Sequence, residues 1–181
     1  VVVVRRLCSL LIAVLFSVSM SACSPGESPP VDTLSEITTI EEAKRESLRI
    51  MRELVGMADG LAISPAEDQP ESIETQKLVL APCRDGGYQY PGITAVVFAD
   101  DASVLEFEER ILSHFRSSSA WEERRRTRPS GEVVITFNGT NGFTVGTVTH
   151  TDANNKRVVI RAYSPCVELP EDFPNHGGYT Y

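Results

Sequence analysis

The chain reads as an α+β domain: a mainly antiparallel sheet of about five strands with two helices packed on one side and one disulfide. Three observations predict it. Two stretches carry apolar residues at helical spacing behind capping-box signals. Five short runs are rich in β-branched and aromatic residues. Two cysteines each follow a proline at the end of such a run. The order helix, two strands, helix, three strands lacks the regular strand–crossover alternation of a parallel sheet and fits helices laid on an antiparallel one.

The first helix is expected over about Thr33 to Ala58. Thr33 with Glu36, or Thr39 with Glu42, has the spacing at which a hydroxyl and a carboxylate satisfy orphan backbone donors. Leu34, Ile37, Ile40 and Ala43, then Leu48, Met51, Leu54, Val55 and Ala58, recur as one apolar stripe. Glu41 with Arg45 and Arg49 with Glu53, both four apart, add helix-surface pairs worth about 0.2–0.5 kcal/mol each. Gly60 ends the periodicity, and the stretch to Glu74, with Ser64-Pro65 and Gln69-Pro70, reads as an irregular connection.

Strands follow at Gln76 to Ala81 and Gln89 to Ala99. The second is apolar on both alternating sets, Ile93, Ala95, Val97 and Thr94, Val96, Phe98, as expected of a strand partly covered on each face. Asp100 to Ser103 opens a second helix, with Ser103 and Glu106 at capping-box spacing and Val104, Phe107, Ile111, Leu112 and Phe115 as its buried face. Past Trp121, strands are expected at Glu132 to Phe137, Phe143 to His150 and Arg157 to Tyr163. Asn138 to Gly142 and Thr151 to Asn155 supply the turn residues of a meander. The tail after Cys166 reads as irregular.

The N-terminal segment has a different logic. Arg5 and Arg6 precede an uncharged run from Leu7 to Val18, then Ser19-Met20-Ser21-Ala22 and Cys23. About a dozen apolar residues fall short of the roughly 20 that span a membrane, and the small-residue exit suits a signal peptidase. A cysteine directly after those small residues offers a thiol for a diacylglycerol, and Met20 to Cys23 resembles the bacterial lipobox, with Met20 where Leu is usual. The expected organisation is a lipoprotein signal over 1–22, a lipidated Cys23 with a proline-rich tether over 23–32, and one domain over 33–181. An ordinary secretory signal and an uncut anchor are the alternatives. The residues around Arg5-Arg6 fit general secretion better than twin-arginine export.

Charge narrows the partners. The chain has 17 basic and 25 acidic residues, formal charge −8; without Arg5 and Arg6 it has 15 against 25, or −10. Nucleic-acid binding needs clustered cations on a basic domain, so it is excluded as an expectation. Of four cysteines, Cys8 lies in the signal and Cys23 takes the lipid, leaving Cys83 and Cys166 in a compartment that can be oxidising. A disulfide between them is the economical expectation; two free thiols are the alternative. His114, His150 and His176 have no partners at metal spacing, so neither metal nor cofactor is expected. Gly-x-Ser-x-Gly, P-loop and dinucleotide motifs are absent.

One local feature stands out: Glu122-Glu123-Arg124-Arg125-Arg126-Thr127-Arg128. Arg124, Arg125, Arg126 and Arg128 could meet anionic headgroups or wall polymer through planar forks. Alternatively they mark an exposed edge strand or loop whose charges discourage pairing with other chains. Trp121 reads as a core anchor, and Gly86-Gly87-Tyr88-Gln89-Tyr90 as a turn leading into a strand.

With the lipobox, the capped helix, Pro82-Cys83, the helix ending near Trp121 and the closing Ser164-Pro165-Cys166, the chain resembles small actinobacterial lipoproteins of the LppA kind over most of the domain. That resemblance implies an envelope location and a compact α+β domain, with no catalytic residues to carry over. The expected function is a membrane-anchored, extracytoplasmic, non-catalytic module binding an envelope protein, lipid or wall polymer. The alternative is an envelope hydrolase or transferase whose site only the fold would assemble.

Overall fold

The computed structural model describes residues 36–70, 72, 78–129, 133–152, 154–171 and 173. The expected signal, Cys23, the tether, residues 33–35, residues 76 and 77 of the first expected strand, and His176 lie outside them. Of the two candidate capping boxes, the one at Thr39 starts helix α1 (Ile40–Gly56). The Thr39 hydroxyl accepts from the Glu42 N–H at 3.2 Å, and the Glu42 carboxylate accepts from the backbone N–H groups of Thr38 and Thr39 at 3.1 and 3.2 Å. Those donors, Thr38 foremost, hold the Glu42 carboxyl below its ordinary range.

α1 buries more than the one stripe expected. Leu48, Ile50, Met51 and Leu54 enter the main core, while Ile40 and Ala43 join a second cluster with Leu80, Tyr90 and Val167. The second cluster exists because the strand expected over Gln76 to Ala81 does not belong to the main sheet. Leu78 to Leu80 are not strand; Ala81–Pro82 (β1) pairs with Tyr88–Gln89 (β2) as a separate short ribbon. The long strand expected from Gln89 is thus cut at the fully buried Tyr90, and its remainder, β3 (Pro91–Val97), joins the large sheet. Proline explains both limits: Pro82 ends β1, and Pro91 takes the first position of a strand at the sheet's edge.

The ribbon is tied to the end of the chain. Tyr88 and Val167 exchange backbone hydrogen bonds at 2.8 Å each, and Cys83 is bonded to Cys166 across 83 residues with Cα atoms 6.3 Å apart. Closing a loop of that length is worth about 4–5 kcal/mol in the chain-entropy treatment. Gly87, at φ +74°, lies so close to this segment that a Cβ would sit 2.7 Å from the Val167 carbonyl oxygen.

Helix α2 (Asp101–Arg116) is capped differently from the expectation. Asp100 accepts from the Ser103 N–H at 2.7 Å, whereas Ser103 is buried and its hydroxyl accepts from the Ala62 N–H at 3.2 Å. Glu106 pairs instead with Arg110, one turn on. A carboxylate one residue before the helix reaches the first free N–H groups directly, so no reciprocal Glu is required. The expected apolar face, Val104, Phe107, Ile111, Leu112 and Phe115, is buried throughout.

After α2 come four strands: β4 (Trp121–Thr127), β5 (Val133–Gly139), β6 (Thr144–Asp152) and β7 (Asn155–Tyr163). β4 is the arginine run itself, an edge strand. The β6–β7 hairpin continues to the pair Asp152↔Asn155, drawing most of the expected turn into the strands. The five-stranded sheet has order β3-β7-β6-β5-β4, antiparallel at every junction, with α2 carrying the chain from one edge to the other. Both helices cover one face. There Phe115 stacks on Phe137 at 4.6 Å and meets Trp121 edge-on at 4.9 Å. Among the described residues no helix is long and apolar enough to cross a membrane.

Candidate functional site

The face of the sheet turned away from the helices is where the unspent chemistry collects. Side chains alternate along a strand, so the pairings of the five strands determine which residues share that face. Ile93, Arg161, Gly146, Thr136 and Arg124 form one row across it, from β3 to β4. The next row holds Ala95, Val159 and Val148, with Val134 and Arg126 paired at the far side, and beyond it Arg157 lies opposite His150. The centre of this face is aliphatic, and its cations stand at the flanks. Gly146 adds a dip between Arg161 and Thr136, since a Cβ there would come within 3.2 Å of Thr136 Cγ2.

A hollow of ≈ 320 Å³ lies over this face, lined by Ile93, Ala95, Val148 and Val159 together with His150, Arg157 and Arg161. The strand β7 supplies both of its arginines because Arg157, Val159 and Arg161 alternate with the buried Val158, Ile160 and Ala162. Among the described residues, Arg126, Arg157, Arg161 and His150 have no ion pair and no side-chain hydrogen bond. Arg161 goes further: its Nε is fully buried without an acceptor. An unmet donor on a charged group costs at least about 1–3 kcal/mol, and native proteins keep few of them. The acids on this face are Glu122, which pairs with Arg124, and Asp152 at the hairpin tip.

Most arginines on the helix side behave otherwise, the exposed Arg45 of α1 being without an ion pair among the described residues. Arg49 bonds Glu46 at 2.7 Å and Glu53 at 3.1 Å; Arg110 bonds Glu106 and the carbonyls of Met57 and Asp59; Arg116 bonds Glu123 at 2.7 Å. Arg116 first, then Arg125, hold the Glu123 carboxyl below its ordinary range, while Glu123 in turn raises Arg116.

The arginine run therefore does not act as one patch. The pleat of β4 places Arg124 and Arg126 on the open face, while Trp121, Glu123 and Arg125 take the helix side, where Arg125 pairs with Glu123. Arg128 follows the strand and is exposed, with a partner of its own. Trp121 is buried in the core, as expected of an anchor. His114 sits on α2 with Nε2 3.6 Å from Glu53, on the opposite side of the sheet from His150. Gly86 and Gly87 form the turn between β1 and β2. Cys83 and Cys166 form the expected disulfide, remote from the hollow in the chain's second layer. The residues not anticipated as a group are Arg157, Arg161 and His150; the alternation in β7 was the signal available for them. Among the described residues, no group of three or more His, Cys, Asp or Glu is placed to hold a metal ion.

No protein-family model matches the chain, and no curated protein matches it. Among solved structures it is similar to a DUF4853 family protein from Actinomyces odontolyticus, at 15% identity and a TM-score of 0.46, over 81% of this chain and 79% of that one.

Proposed function

We propose that the chain is a lipid-anchored, non-catalytic binding module of the cell envelope, a relative of the small actinobacterial LppA-like lipoproteins. Cys23 and the 24–32 tether hold the domain outside the membrane, and the open sheet face meets an anionic component of the envelope. One observation carries the binding half: in a chain of formal charge −8, Arg126, Arg157 and Arg161 share one sheet face without an ion pair among the described residues, whereas Arg110, Arg116 and Arg125 on the helix side are paired. Cations held without partners over aliphatic side chains suit contact with phosphate or carboxylate groups. The anchoring half rests on the lipobox alone. A nine-residue tether extends to roughly 30 Å, enough to let the domain turn its open face toward the headgroups.

The experiment has two arms. In cells, Cys23→Ser is expected to move the full chain from the membrane to the soluble extracytoplasmic fraction; unchanged retention would remove the anchor from the proposal. In vitro, the wild-type chain is expected to bind phosphatidylglycerol vesicles at low salt and to release them as salt rises. Joint Arg124→Glu, Arg126→Glu and Arg157→Glu substitution is expected to lower that binding at least tenfold. Equal binding by wild type and variant overturns the surface assignment.

A further inference from the structure

Resting on that reading and narrowing it, we infer that the hollow between β3, β7 and β6 is a subsite for one phospholipid molecule of net negative charge, its phosphate on Arg161 and Arg157 and its first methylenes on Ile93, Ala95, Val148 and Val159. Four features converge on this occupant. The hollow's volume of ≈ 320 Å³ sits at the low end for small-ligand sites, enough for a headgroup and a short length of chain but not for a whole lipid. Its floor is aliphatic, and a purely ionic ligand would leave that floor unused. Both arginines lack partners among the described residues, and Arg161 has a buried Nε without an acceptor, so an anion drawn to its guanidinium offsets a charge left uncompensated.

The fourth feature is spacing. Arg157 and Arg161 stand four residues apart on one strand, about 13 Å at the Cα atoms, and both line the hollow, so a single anion held by the two needs acceptors facing in more than one direction. A phosphate carries its oxygens around a tetrahedron; a carboxylate has two in one plane. His150, opposite Arg157, is a further donor at the same end. The ligand stays in its membrane, with only its head and upper chain engaged, which is how a tethered domain could grip the surface it hangs from.

The test uses the full chain at about 0.15 M salt, where long-range surface attraction is largely screened. Calorimetric titration with dihexanoyl phosphatidic acid, kept monomeric, is expected to show saturable binding of one molecule per chain. Inorganic phosphate and dihexanoyl phosphatidylcholine should each bind at least tenfold more weakly. Arg161→Gln should weaken the phosphatidic acid at least tenfold. Arg157→Gln, at an exposed position that leaves folding untouched, should weaken it about threefold to tenfold. Phosphate binding as tightly as the lipid overturns the inference, as does phosphatidylcholine binding equally or indifference to both arginine changes. Vesicle binding without saturable monomer binding overturns this subsite and leaves the surface proposal standing. Monomer binding without vesicle binding does the reverse, and failure of both removes both.

Discussion

The two faces of the five-stranded sheet are made by the same strands, one residue at a time, and they solve opposite problems. On the helix-covered face Val158, Ile160 and Ala162 alternate inward beneath Phe107, Ile111 and Phe115, and charges near the layer are paired: Arg116 bonds Glu123, and Thr149 donates to Glu108 at 2.6 Å, while the buried atoms left without a partner, Ser47 Oγ, Tyr90 OH and Trp121 Nε1, are uncharged. On the open face Arg157 and Arg161 come from the same strand and have no such partners. Close packing rewards neutral, shape-matched groups, so ionic loose ends are what a purely structural face would have shed. The contrast is one of charge, and it is what points the proposed binding to the open face.

The comparison breaks hardest on the covered side. Phe115→Ala removes a ring held between Trp121 and Phe137 and is expected to destabilise the domain by about 3–5 kcal/mol in urea unfolding, while the folded fraction keeps its affinity for anionic lipid. A loss under about 1 kcal/mol would mean that this face is not the core that holds the sheet. On the open side, Arg161→Met is expected to leave stability within about 1 kcal/mol of wild type, or to raise it, because the long apolar chain keeps its packing and the unmet donor disappears. A loss above about 2 kcal/mol would show that the guanidinium has a structural partner, and the asymmetry between the faces would lapse.

The smallest effect lies at the junction between β3 and α2. The Ser103 backbone N–H holds the Asp100 carboxyl below its ordinary value. The ionised form therefore adds stability above the unfolded-state value, about pH 4, and that contribution is lost as pH falls through the lower folded value. Asp100→Asn keeps the cap acceptor without the charge. The stability gap between wild type and variant should hold from neutral pH to about pH 5 and close under stronger acid. A gap that widens with acid would contradict the assignment of Asp100 as the ionised cap of α2.

Much of the framework was legible in the residues. Both helices, their buried faces and the last three strands follow from periodicities of 3.6 and 2, and the Cys83–Cys166 pairing from the two cysteines left once Cys8 and Cys23 are set apart. What escaped was context. Leu78 to Leu80 read as a strand because they are apolar, yet Leu80 is buried, with Leu78 against it, in a second small core under α1 that no local pattern announces, and Val79 is exposed. Charge density left β4 between an edge strand and a loop, since Glu122 to Arg126 carry no apolar alternation; pairing with β5 makes them strand.

The candidate site shows the same division. The amino-acid sequence alone carries the lipobox-like run ending at Cys23, the acidic balance, the alternation within β7 and the arginine run, all of which are properties of the linear chain. Only the tertiary structure decided that β7 lies beside β3 and β6, that the run divides between two faces, and that Arg161 has no acceptor within reach. Those outcomes depend on strand order and pleat register across the sheet, where residues 68 apart, such as Ile93 and Arg161, become neighbours. Periodicity carries a residue's direction. Which neighbours await it there is set by the pairing of strands distant in sequence.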